Sequence, residues 1–236
     1  MARLAPMPPI SIDPSSLALF GERWTTLNRR LSRTPPQSSG QLGVLFDRAV
    51  GAALATMLGG IPIVAPNPNA LTPPQADCVE VGPVRIIGGV RPQNFDVGYR
   101  PDGVRFAFDS KTLNDSENIG KNWQNMINDL ATEATTVHSR FPHAVVAFMV
   151  IYPEPCVSLS QRSATTETLE RLARRINVDG PPYMAEAISL VLWNPTDGSL
   201  DPTVPDPSSP LRLEKFSEQV ASAYTNRYKG LPPHTA

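Results

Sequence analysis

Residues 106–111 read Phe-Ala-Phe-Asp-Ser-Lys, an apolar segment that ends in an Asp-x-Lys motif at Asp109 and Lys111. Residues 95–99 form a second short segment, with Asp96 near its start. The connection between them contains Arg-Pro-Asp-Gly, and proline at the second position with glycine at the fourth is typical of a type I turn. We therefore predict a β-hairpin that brings two carboxylates and a lysine to one end.

The relative placement of the two acids depends on how the strands pair. Asp109 and Lys111 are two residues apart on one predicted strand, so their side chains share a face. If Arg100 pairs with the fourth residue after it, Asp96 and Asp109 point to opposite faces. A different register, a bulge of the kind common beside active sites, or an Asp96 outside regular pairing would each bring them together. The sequence leaves these alternatives open.

The residue types in this hairpin suit phosphodiester hydrolysis. Carboxylates hold Mg²⁺, which clamps a phosphate and acidifies a water, and a nearby lysine stabilises developing charge. Asp96, Asp109 and Lys111 supply these groups. The alternative for Asp109 is a solvated strand end, but Phe106 and Phe108 indicate a central strand, where a buried acid needs a reason. A metal-dependent nuclease is the predicted class.

The rest of the chain alternates helical and extended patterns. Apolar residues at helical spacing predict helices at 17–31, 41–58, 118–139, 165–176 and 211–228. Apolar runs predict strands at 77–81, 84–90, 144–152 and 185–193. We therefore expect an α/β fold, a mixed sheet core flanked by helices on both faces. The predicted organisation is a helical extension over 1–40, a core over 41–195, and a proline-rich linker with a final helix over 196–236.

This arrangement resembles the PD-(D/E)xK nuclease superfamily, the fold of most type II restriction endonucleases. The resemblance covers roughly residues 41–193: a helix, a hairpin with Asp and (Asp/Glu)-x-Lys, a helix, a buried strand, a helix and a further strand. Asp96 matches the first acid, although Phe95 stands where the family name has proline. Asp109 and Lys111 match the second motif. The resemblance implies a restriction-endonuclease-like fold.

The resemblance also implies further site residues and an activity. It adds an acid on the first helix, at Asp47, and a glutamine on the helix after the hairpin, at Gln124. Asp47, Asp96 and Asp109 would hold Mg²⁺, with Mn²⁺ as a substitute. The implied activity is cleavage of double-stranded DNA to leave a 5′-phosphate, in restriction or another defence. Because a small single-domain enzyme cuts both strands most simply as a homodimer, we also predict a dimer. The alternatives are a structure-specific or partner-directed repair or recombination nuclease, and a catalytically inactive DNA-binding or interaction module.

Charge and hydropathy set limits on partners. The net charge of -1 supplies no overall attraction to DNA, so a local basic patch is needed. Candidates for DNA-backbone contacts are Lys121, Arg171, Arg174 and Arg175, whose alternative role is solvated helix charge. No apolar run approaches the ~20 residues of a membrane helix, and the first residues lack a signal-peptide apolar region. We expect a cytoplasmic protein without a membrane partner.

Overall fold

The computed structural model describes residues 4–26, 29, 36–116 and 119–234, without the side chains of 36–40, 120 and 121. Within these residues, helices and strands alternate along the chain. In chain order they are α1 (Pro14–Thr26), α2 (Pro36–Met57), β1 (Ile63–Val64), β2 (Val79–Ile87), β3 (Pro92–Tyr99), β4 (Phe106–Thr112), α3 (Ile119–His138), β5 (Val145–Pro153), α4 (Leu159–Leu172), β6 (Ala187–Trp193) and α5 (Leu213–Tyr228).

The strands form one mixed sheet whose spatial order follows the chain order, from β1 to β6. β2, β3 and β4 are antiparallel, whereas β4, β5 and β6 are parallel. The parallel strands are joined through α3 and α4, as parallel connections require. Every residue of β5 and β6 is buried, which accounts for their continuous apolar sequences. The prediction of an α/β fold with a helix-flanked mixed sheet is confirmed.

Two apolar cores lie on opposite faces of the sheet. The first contains residues of α1, α2 and α5, and Phe216 of α5 meets Phe108 of β4 edge to face at 6.0 Å. The second contains residues of α3 and α4. Along β4, Phe106 and Phe108 pack in the first core and Ala107 packs in the second. This alternation directs Asp109, the next residue, toward the face that α3 covers.

The boundaries of two predicted elements need correction. The two pieces predicted at 77–81 and 84–90 are one strand, β2, with a bulge between Val81 and Val84. The helix predicted over 165–176 begins earlier and ends earlier, at Leu159 and Leu172. Ser158 forms a capping box with Gln161, and this local signal fixes the start of α4.

The outer edge of β6 is covered by the segment that leads into α5. Leu190 N–H donates to Leu211 O at 3.0 Å, and Asp201 N–H donates to Leu192 O at 2.9 Å. This cover protects an edge strand that would otherwise expose unpaired backbone groups. None of the helices in the described residues is long and apolar enough to cross a membrane.

Candidate active site

The register of β3 and β4 decides the position of the two acids. Val97 pairs with Phe108, the last pair that β3 and β4 form at this end, so Asp96 and Asp109 are the next residues along the two strands. This register differs by one residue from the pairing at Arg100 that would have separated the acids. The two carboxylates therefore meet at one end of the hairpin.

Asp96 also sits at a break in the alternation of β3. Phe95 packs in the second core and Val97 in the first, although residues two apart on a regular strand share a face. The Asp96 carboxylate is held by its neighbour strand, because Oδ2 accepts hydrogen bonds from Ser110 N–H at 2.9 Å and from Ser110 Oγ at 3.2 Å. These two bonds orient Asp96 toward the end of β4.

Helix α2 brings Asp47 next to Ser110 and Asp96. A Cβ on Gly43 would lie 2.9 Å from Ser110 Oγ and 3.9 Å from Asp47 Oδ2, so the glycine allows α2 to approach β4 closely. Asp47 is buried, and its Oδ1 makes no hydrogen bond with any residue in the described ranges. A buried carboxylate oxygen without a donor is costly unless a proton or a cation satisfies it.

Lys111 lies between two carboxylates. Its ammonium contacts Asp109 Oδ2, and it donates to Glu133 Oε1 at 2.8 Å. Glu133, on α3, is only 3% exposed, and the same Oε1 accepts a hydrogen bond from Gln93 at 2.9 Å. Glu133 Oε2 is buried and has no hydrogen-bond partner among the residues described. Glu133 is thus a charged member of the site that sequence reasoning missed.

The three aspartates resist ionisation. Burial raises the pKa of Asp47, the charge of Asp96 raises it further, and the Ser110 hydroxyl opposes the rise. Burial also raises the pKa of Asp96, and its hydrogen bond with Asp109 and that residue's charge add to the rise. The pKa of Asp109 is raised by burial against the opposing effects of Asp96 and Lys111. A cluster of this kind is stabilised by a cation.

The surroundings of Lys111 favour its charged form, in contrast to those of the three aspartates. Burial disfavours its charge, but Asp109 and Glu133 outweigh this effect and raise the pKa of the ammonium above its usual value. Lys111 is therefore a fixed positive charge next to Asp109. Its positive charge would offset the negative charge of a nearby phosphate.

An open cleft of about 420 Å³ adjoins Lys111. Asn122, Asn125 and Asp129 line it from α3. Gln124, which the resemblance suggested as a catalytic residue, is exposed on α3 and lies outside this set of lining residues. The side chain of Lys121 falls outside the described part of the chain.

The three predicted arginines of the α4 region have different environments. Arg171 is exposed on α4, 3.7 Å from the carboxylate of Glu167. Arg174 is exposed beyond the end of the helix. Arg175 is buried, and its guanidinium donates to Glu186 at 3.1 Å, so the expectation that Arg175 contacts a DNA backbone is wrong. α4 ends before Arg175, and the chain then turns inward.

Two additional site residues differ in how visible they are in the sequence. Glu133 is three residues after Leu130 and four before Val137, within the apolar stripe of α3. An acid inside such a stripe is a signal of a buried, partnered carboxylate. Ser110 carries no comparable signal, because its role depends on how closely α2 approaches β4.

The donors present suit a hard divalent cation, although no group of three or more His, Cys, Asp or Glu side chains in the described residues has the geometry of a metal site. Carboxylate oxygens are the ligands that Mg²⁺ prefers. The unpaired Oδ1 of Asp47 and the raised pKa values of Asp47 and Asp96 are both features that a bound cation would relieve. Asp47, Asp96 and Asp109 are therefore the residues whose chemistry suits Mg²⁺.

No protein-family model, no curated protein and no solved structure matches this chain. The geometry of the site itself is therefore what bears on its function.

Proposed function

We propose that this protein is a Mg²⁺-dependent DNA endonuclease of the PD-(D/E)xK superfamily. The observation that carries the proposal is the interaction of the Asp96 and Asp109 carboxyl groups just beyond the last β3–β4 pair, with the Lys111 ammonium on the Asp109 carboxylate. Two acids and a lysine on adjacent strands are the groups that metal-assisted phosphodiester hydrolysis uses.

The element order supports the proposal. Helix α2, the β3–β4 hairpin, α3, β5, α4 and β6 follow one another in the order that the resemblance implied. The parallel alignment of β5 and β6 with β4 puts the carboxyl ends of the three strands at one edge of the sheet. In open α/β sheets, ligands bind outside the carboxyl ends of the strands. A restriction-endonuclease-like fold is part of the proposal.

The chain's own residues would divide the chemistry. Asp47, Asp96 and Asp109 would hold Mg²⁺, or Mn²⁺ in its place, which when bound neutralises phosphate charge and lowers the pKa of a water. Ser110 keeps Asp96 in its orientation. Lys111 places a positive charge where the scissile phosphate would gain negative charge in the transition state. The expected product carries a 5′-phosphate.

The proposed substrate is double-stranded DNA, and the proposed setting is restriction or a related defence. The amide side chains of Asn122 and Asn125 in the cleft offer neutral donors beside the site. A small enzyme with one such site cuts both strands most simply as a homodimer, which we also propose.

The test is cleavage of supercoiled plasmid by the purified protein with Mg²⁺ or Mn²⁺. Asp109→Asn and Lys111→Ala should each lower the rate by about 10²-fold or more, while Glu167→Gln, an exposed acid on α4, should not. Retained cleavage in both site variants would put the active site elsewhere. Binding of DNA without cleavage of any DNA or RNA would favour an interaction module of the same fold.

Mapping the cut positions separates the two kinds of nuclease. Cuts at one short sequence favour a restriction enzyme. Cuts at branches, ends or flaps, or cuts that require a partner, favour a repair or recombination nuclease.

A further inference from the structure

We propose that Glu133 is a positioning residue for Lys111, one that holds the ammonium at Asp109 and on which the rate of the reaction depends. The expected effect of Glu133 on the reaction rate rests on the proposed function. The restraint of Lys111 is a property of the folded protein and can be tested without substrate or metal.

The contacts of Glu133 support this role. Its Oε1 accepts hydrogen bonds from Lys111 Nζ at 2.8 Å and from Gln93 Nε2 at 2.9 Å. The two donors come from β4 and β3, the strands that also carry Asp109 and Asp96. Glu133 therefore ties α3 to both strands of the hairpin at the level of the site.

A lysine at this position needs such a restraint. Its ammonium stands on a flexible four-carbon stem and is easily turned toward water. Asp109 is one anchor, but the same carboxylate is a proposed ligand of the cation. Glu133 anchors Lys111 from α3 and is not a proposed ligand of the cation.

Stability alone does not account for Glu133. A buried ion pair often contributes little net stability, since both charges lose their hydration. The second oxygen of Glu133 is buried without a hydrogen-bond partner in the described residues, which adds a cost. A carboxylate kept in this environment is better explained by what it does to the Lys111 ammonium.

The first part of the test observes the ammonium directly. The chain has only four lysines, at 111, 121, 215 and 229, so the NH₃⁺ signals in a ¹H–¹⁵N spectrum of metal-free protein can be assigned with single Lys→Arg variants. Lys111 should give a sharp signal, because hydrogen-bonded burial slows its proton exchange. Glu133→Gln should broaden or remove this signal, whereas the surface variant Glu167→Gln should not. An unchanged Lys111 signal in Glu133→Gln would overturn the restraint.

The second part measures cleavage. Glu133→Gln should lower kcat by about 10²-fold, the cost of a small misplacement of a reacting group, with KM for DNA changed by no more than about twofold. Gln93→Ala, which removes one donor and no charge, should lower kcat by a smaller factor, and it serves if Glu133→Gln does not fold. In the Lys111→Ala background, Glu133→Gln should have no further effect, because its role acts through Lys111.

The outcomes distinguish this inference from the proposed function. Loss of the Lys111 signal with unchanged kcat would overturn the positioning role and leave the nuclease proposal intact. If the wild-type protein cuts no nucleic acid, the proposed function fails and the dependence of rate on Glu133 fails with it. Loss of the signal together with a lower kcat and an unchanged KM supports the whole inference.

Discussion

The carboxyl groups of Asp96 and Asp109 interact just beyond the last β3–β4 pair, and the residue next to Asp109, Ser110, donates two hydrogen bonds to the Asp96 carboxylate. This relationship keeps the half-buried Asp96 against the buried Asp109 at the end of a hairpin, with Asp47 approaching from α2. The folded chain thus maintains a cluster of carboxylates that is unfavourable without a counter-charge.

The carboxylate cluster should make metal-free stability depend on pH. The pKa of Asp47 is raised from 3.8 to about 8, mainly by burial and then by the charge of Asp96. Below about pH 4 both the folded and the unfolded states hold the proton, so the free energy of unfolding should fall as pH rises through the window from 3.8 to about 8. Urea denaturation in EDTA across this range measures the effect.

Asp47→Asn should remove part of the fall in the free energy of unfolding that accompanies rising pH. At about pH 8 the variant should be more stable than wild type by about 1–3 kcal/mol, since it buries no carboxylate charge. Asp179→Asn, at an exposed aspartate, is the matched control and should change stability little. Equal pH dependence in the Asp47→Asn variant and wild type would contradict the burial of an unsatisfied carboxylate at Asp47.

Added Mg²⁺ should stabilise the wild-type protein, and more so at high pH than at low pH. The cation competes with protons for the same carboxylates, so its effect on the melting temperature should grow between about pH 5 and about pH 8. Asp47→Asn and Asp96→Asn should each reduce the shift. A Mg²⁺ shift that is the same at both pH values would argue against binding at these acids.

Gly43→Ala tests the close approach of α2 to β4. The new Cβ would lie 2.9 Å from Ser110 Oγ, so the hydroxyl must move and its bond to Asp96 should weaken. Alanine is favoured over glycine inside a helix by about 1 kcal/mol, so we expect a net loss of no more than about 1 kcal/mol in the free energy of unfolding, with slower cleavage. In a Ser110→Ala background the same substitution should cost less stability, because the contacted oxygen is absent. An equal loss of stability in both backgrounds would show that contact with the Ser110 hydroxyl is not the reason for a glycine at position 43.

A second charged cluster, remote from the site, should control stability in acid. Glu186 Oε1 accepts from Arg227 at 2.8 Å and from Arg175 at 3.1 Å, and Oε2 lies 3.2 Å from His138. Burial opposes its ionisation, but His138 and Arg227 outweigh burial and lower the pKa of Glu186 below its usual 4.5. The stability that it contributes is present above pH 4.5 and is lost as pH falls through the lowered pKa.

Glu186→Gln should therefore cost about 3–5 kcal/mol near neutral pH, because it leaves buried guanidinium groups without their counter-charge. The difference from wild type should shrink as the pH falls below about 4. Urea denaturation at several pH values measures both effects, with Glu167→Gln as the surface control. A neutral-pH cost below about 1 kcal/mol, the range of an exposed pair, would contradict the buried network.

The order of helices and strands was predictable because each element carries its own periodicity. The shared face of Asp109 and Lys111 also followed from strand geometry alone. The register that brings Asp96 to Asp109 did not follow, because it depends on the length of the turn, and a change of one residue reverses the face. The start of α4 depended on the Ser158 capping box, which does not show in apolar periodicity.

The remaining site residues depend on tertiary packing. Glu133 contacts Lys111 only because α3 crosses the sheet at the level of the motif. Its place in an apolar stripe was visible in the sequence, but its partner was not. Gln124, on the same helix, is exposed, and the difference between the two positions is a matter of helix rotation against the sheet.

The most direct test of the central claim is an anomalous-scattering measurement on crystals of the protein grown or soaked with Mn²⁺. We expect an anomalous difference peak between the carboxylates of Asp96 and Asp109, within reach of Asp47, and we expect Asp109→Asn to weaken or remove it. A peak elsewhere, or no peak at this position at saturating Mn²⁺, would contradict the assignment of these aspartates as the metal ligands of a nuclease.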